Sequence, residues 1–235
     1  MKPLLLEVLL GTREFEVHID EPFPIVRPRL RGVTHLAAFL VAAPVGVALV
    51  LHARGGVAVG GAGVFATSVV LMLGVSILFH RREWTPERKR WIRFLDHTSI
   101  YVLIAGTYTP LALLVLDDGW RLPILAVVWG GAVLATAARL LWPDAPPWVV
   151  AATCVVLGWV SVVVMRQIVE RIGAGATALL VASGIVYTAG AVVYARRRPD
   201  PFPNVFGYHE VFHALVLVAL ACQYATIAFF VLPQA

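Results

Sequence analysis

The sequence predicts an all-α membrane protein, a seven-transmembrane helix bundle with its amino terminus in the cytoplasm. Three observations predict it. Of the 235 residues, 60% are hydrophobic and 14% charged, whereas a soluble domain carries about a quarter charged residues; the mean hydropathy is +0.83. The apolar residues gather in continuous runs, near the length of about 20 residues that a helix needs to cross a bilayer. They lack the strict alternation of a transmembrane β-barrel strand. The Lys and Arg residues fall mostly in alternate connections between the runs, as the positive-inside rule requires.

Residues 1–30 read as a polar cytoplasmic tail and residues 31–235 as the transmembrane domain. Leu4, Leu5 and Leu6 open an apolar stretch, but Glu7 interrupts it and no small-residue cleavage site follows, so it is not read as a signal peptide. Glu14, Glu16, Asp20 and Glu21 come next, with Pro22, Pro24 and Pro28. A short interfacial helix over residues 4–10 is the most this tail predicts.

The first span is expected at residues 31–53, with Thr34 and His35 near its start. The second, residues 57–80, opens on Gly55, Gly56, Gly60, Gly61 and Gly63, which suit close helix packing in lipid. The third is expected at 96–116 and the fourth at 122–141. Pro143, Pro146 and Pro147 separate the fourth from a fifth at 148–167, and a sixth follows at 174–195. Pro199, Pro201 and Pro203 make a stiff turn before the seventh, residues 208–232.

With the amino terminus inside, the cytoplasmic connections receive Arg81, Arg82, Arg88, Lys89, Arg90 and Arg93, then Arg139, then Arg196, Arg197 and Arg198. The opposite face receives Arg54, Arg121, Arg166 and Arg171. The isoelectric point of about 9.6 is thus a topology signal and an attraction for anionic lipid headgroups. It does not mark a nucleic-acid surface. The expected location is the plasma membrane, and the expected partners are membrane lipids. Cys154 and Cys222 each lie alone in an apolar run and read as small buried hydrophobes.

On this topology His80 ends a descending helix, Asp96 begins a rising one, and His209 and His213 begin the last rising one. All four land at the cytoplasmic leaflet. His209 and His213 are four apart, so a helix presents both on one face, about 6 Å apart along its axis. Ser76 and His80 share that spacing. Three imidazoles can fill three positions of a tetrahedral Zn²⁺ and leave the fourth to water. Asp96 would accept a hydrogen bond from that water or bind the metal directly. Ser76 would donate to a developing oxyanion or orient a ligand. Beside this stands the plainer reading, imidazoles at a membrane interface bonded to water; ionisable groups in a membrane, however, tend to be functional. His35 reaches the same leaflet as a further ligand or a supporting partner. His97 points about 100° away from Asp96 around its helix and reads as packing or an interfacial hydrogen bond.

His209-Glu210-Val211-Phe212-His213 also spells HExxH, the zincin pattern in which Glu210 would be a general base. The order of the other ligands differs from that of membrane-embedded proteases, and His80 supplies a third imidazole that such sites do not need.

A wider resemblance covers nearly the whole chain. Ser76-Ile77-Leu78-Phe79-His80, then Leu95-Asp96-His97-Thr98-Ser99-Ile100-Tyr101, then Phe206-Gly207-Tyr208-His209-Glu210-Val211-Phe212-His213 resemble, in order, the blocks of the haemolysin III family. That family lies within the progestin and adipoQ receptor superfamily, with the alkaline ceramidases more distant. The resemblance implies a seven-helix bundle, zinc on His80, His209 and His213, a zinc water held by Asp96, and Ser76 in the site. The expected function is hydrolysis of a lipid amide or ester, such as a ceramide-like or fatty-acyl substrate, with Asp96 and Ser76 catalytic. The alternative is a non-enzymatic haemolysin III-type protein with a structural zinc, acting in membrane lipid homeostasis or cytolysis.

Overall fold

The structure, a computed structural model, describes residues 28–235; the expected tail and its interfacial helix lie almost wholly outside the described residues. Every long element among them is a helix, and an isolated antiparallel bridge joins Phe202 to Phe206. The helices are α1 (Val33–His52), α2 (Gly56–Arg81), α3 (Pro86–Val115), α4 (Asp118–Leu141), α5 (Pro147–Gly158), α6 (Met165–Arg196) and α7 (Tyr208–Thr226). A 3-10 stretch, Trp159–Val164, joins α5 to α6 without a loop, and α7 continues through a π-helical turn, Ile227–Val231.

Among the described residues, six stretches are long and apolar enough to cross a membrane: α1, α2, α3, α4, the run Pro147–Arg196 and the run Tyr208–Gln234. The run Pro147–Arg196, 50 residues, holds both the expected fifth and sixth spans: two helices meet in it across a kink, between the expected end of the fifth at 167 and the expected start of the sixth at 174. The interruption comes at Gly173, whose φ of 82° and ψ of 165° are non-helical; only glycine adopts that conformation without strain.

A difference concerns α3, which begins at Pro86, ten residues before the expected Asp96. The Thr85 side chain accepts from the Arg88 N–H at 3.5 Å and Pro86 sits in the first turn, a strong start for a helix. The charged run therefore rides on the helix rather than on a loop.

The outer faces are apolar. Leu40, Leu51, Leu122, Leu134, Val156 and Phe229 are all exposed, as suits side chains that meet lipid. Lipid is as apolar as leucine, so close packing rather than burial decides which helices associate. On the seam of α2 with α3, a Cβ on Gly106 would lie 2.7 Å from Ser68 Cβ, and one on Gly61 would lie 3.1 Å from Pro110 Cα. These glycines let the two backbones touch. Helix α3 is the most buried span and serves both apolar clusters: Tyr101, Ala105 and Tyr108 pack with Val128 and Ile168, while Leu103 packs with Phe65, Leu73 and Leu220.

Candidate metal centre

The end of α2 and the start of α7 meet at one end of the bundle. His80 occupies the last turn of α2, and His209 and His213 occupy the first two turns of α7. One ring nitrogen from each of these three histidines lies within 4.8 Å of the other two. His209 Nε2 is 3.2 Å from His80 Nε2. The imidazole centroids are 4.7 Å apart for His80 and His209, 5.0 Å for His80 and His213, and 4.5 Å for His209 and His213, all edge to face.

These residues fit a metal ion. Two nitrogens bound tetrahedrally at 2.0–2.1 Å stand about 3.3 Å apart, which is the spacing His80 and His209 already have. His80 and His213 are buried, and Nδ1 of His213 has no hydrogen-bond partner. Neutral imidazoles that converge edge-on in an apolar site gain most when a cation takes their lone pairs. The three predicted ligands are therefore brought together, and the geometry leaves the identity of the metal open.

Asp96 and Ser76 line the cavity that opens beside the trio, together with His35, His97, His209 and His213. The Asp96 carboxyl is not one of the three mutually close ligand groups; it stands beside the Ser76 hydroxyl. Ser76 is buried and also meets His35 Nδ1 at 2.8 Å. His35 stands outside the trio, yet its ring stacks on His213 with centroids 3.8 Å apart and planes 10° from parallel.

Glu210 is spoken for. Fully buried, its carboxylate accepts from the Gly207 N–H at 2.9 Å and pairs with Arg31 Nε at 2.8 Å. It caps α7 and ties it to the segment before α1. A general base needs a free lone pair facing the substrate, and Glu210 has none facing the cavity, so the HExxH spelling is coincidental.

His97 makes hydrogen bonds, one of its two expected roles. It is held between Arg139, at 3.4 Å from its Nδ1, and the Tyr194 hydroxyl, at 3.3 Å from its Nε2. Arg139 is buried, also donating to the Trp142 carbonyl at 3.2 Å. In the sequence it is one basic residue at a helix end, and nothing local distinguishes it from the exposed ones. Deeper in the cavity, Gln223 Oε1 accepts from Tyr187 at 3.4 Å and from Thr107 at 3.3 Å. Most of the remaining lining is apolar, with Ile100, Leu103, Ile104, Val150 and Ile168 in it, and Ser161, Ser183 and Thr188 add hydroxyl groups.

A family model described as Haemolysin-III related matches residues 23–224. Hemolysin-3 of Bacillus cereus is 30% identical over 211 residues, which cover 87% of this chain and 91% of that protein. The Hemolysin-3 homolog of Bacillus subtilis (strain 168) is 27% identical over 167 residues, covering 71% and 75% respectively. Helices long enough to cross a membrane, three motif blocks converging on one site and a match along most of the chain agree: this is a multi-pass integral membrane protein, and it belongs to the haemolysin III family.

Proposed function

We propose that this protein is a zinc-dependent membrane hydrolase that cleaves an amide or ester bond of a lipid, such as a ceramide-like or fatty-acyl substrate. The observation that carries the reading is the trio His80, His209 and His213 beside a largely apolar cavity that His209 and His213 line. Three imidazoles with room for water favour zinc over harder divalent ions. The ion would polarise a carbonyl and make water ionisable near neutral pH.

The remaining roles belong to the chain. Asp96 takes the proton of the attacking water at a carboxylate oxygen. Ser76 has one proton, which can serve Asp96 or a developing oxyanion but not both. The apolar walls seat an acyl chain and exclude bulk water.

The same reading sets the topology. A helix of 50 residues would be about 75 Å long, far more than the roughly 30 Å of a bilayer core. The run Pro147–Arg196 therefore crosses twice and turns at Gly173, giving seven spans. Arg81, Arg82, Arg196 and Arg197 lie at the histidine end, so that end faces the cytoplasm of the plasma membrane, together with the amino terminus.

Metal content of the detergent-purified chain tests the core of this. About one zinc per chain is expected, lost in His209→Ala. Asp96→Asn should keep the zinc and lower release of fatty acid from ceramide by about 10²–10⁴-fold. Wild type without metal, purified in the absence of chelator, would sink the reading. The names of the relatives favour a second reading, a lytic protein with a structural zinc. Dye-loaded vesicles separate the two, because a lytic protein empties them and a hydrolase confined to its own cavity does not.

A further inference from the structure

The start of α1 is fastened to the candidate metal centre at successive positions. Arg31 pairs with the capping carboxylate of α7 at 2.8 Å. Gly32 follows with φ of 75°, and a Cβ there would lie 3.0 Å from His80 Cβ. No other residue type would fit both the left-handed backbone and that contact. One turn on, His35 is buried against Ser76 and His213. The chain thus bends around the rear of a predicted ligand and delivers one imidazole into the site from a helix that carries none of the trio.

The protons of this contact can be assigned. Ser76 has a single hydroxyl proton, and the Asp96 carboxyl stands beside it. With that proton given to Asp96, the 2.8 Å contact between His35 Nδ1 and Ser76 Oγ takes the imidazole as donor, and the donors then run His35 to Ser76 to Asp96. The stacked ring of His35 lies 3.8 Å from the ring of His213 and sets the plane in which that ligand can turn.

We propose that His35 is a positioning residue of the metal centre: its Nδ1–H orients Ser76, and through it Asp96, toward the ion, while its ring fixes the plane of His213. This rests on the metal reading above. It goes beyond that reading by giving a non-ligand helix, α1, a part in tuning the ion. Groups that orient ligands and their partners typically change metal affinity or activity by about 10–100-fold.

Two substitutions separate the two contacts. His35→Phe keeps a flat ring on His213 and removes the donor. His35→Asn places an amide N–H near the position of Nδ1 and removes the ring. The full-length chain, purified in detergent and stripped of metal, is titrated with Co²⁺, following both the dissociation constant and the visible absorption of the Co²⁺ form. His35→Phe is expected to weaken binding by about 10–100-fold and to shift the visible bands, because the field around the ion changes. His35→Asn is expected to recover part of the affinity, with a band shape of its own. Wild-type bands and affinity in His35→Phe, with Co²⁺ bound by wild type, would overturn this proposal alone. Equal losses in both variants with unshifted bands would also overturn it, leaving His35 as filler. Failure of wild type to bind Co²⁺ would overturn the metal reading and this inference with it.

Discussion

His80 and His209 reach each other from positions 129 residues apart in the chain, at a nitrogen separation of 3.2 Å that suits a tetrahedral ion, and His213 completes a trio within 4.8 Å. A metal held this way competes with protons, since each imidazole must be neutral to give its lone pair. Lowering the pH therefore releases the metal, and three ligands should make the loss steep, approaching three protons per ion. Equilibrium dialysis between pH 8 and pH 5 measures that slope; a slope near one would mean that a single histidine holds the metal. A second residue-scale prediction concerns the buried pair Arg31 and Glu210. Arg31→Met strands a carboxylate inside the protein and should cost about 3–5 kcal/mol in a denaturant titration, while Arg31→Lys keeps a charge and should cost less. The trio was legible in the sequence because a spacing of four and alternating topology put all three histidines at one leaflet. Neither the tie of Glu210 to Arg31 nor that of His97 to Arg139 was legible. Each depends on which way a side chain points across two helices, and no periodicity along one helix carries that information.

At the scale of elements, the α2–α3 seam decides how closely the site's two walls approach. Gly106→Leu would drive a branched side chain into Ser68 and should lower stability by about 1–3 kcal/mol; the midpoint of unfolding in mixed detergent checks it. Gly60→Ala makes the control, because a Cβ there meets nothing within 4 Å, and it should change little. Element types were readable from the apolar runs, and their boundaries less so. A bilayer-length template put the start of the third helix at Asp96, whereas the local signals Thr85 and Pro86 start it at the edge of the charged run. The template placed a break between residues 167 and 174, and the departure from helical geometry comes at Gly173, after backbone hydrogen bonding has carried through Trp159–Val164.

At the scale of the whole molecule the proposed topology has seven crossings and the histidine end inside. Single cysteines, placed after Cys154→Ala and Cys222→Ala, test it. In intact cells an impermeant thiol reagent should label Glu170→Cys and leave Glu83→Cys untouched, and disruption of the membrane should expose Glu83→Cys. Labelling of both from outside would refute the orientation. The bundle also closes on itself. Backbone hydrogen bonds from Arg29 to Asn204 and from Leu30 to Val205, each 3.1 Å, hold the segment before α1 against the loop before α7. That closure has a consequence for biogenesis. Helix α2 enters the bilayer long before α7 has been synthesised, so His80 waits without its two companions while the chain is still growing. The trio can take its ion only after the last helix is seated, and loading would then serve as a checkpoint that distinguishes a finished bundle from an unfinished one.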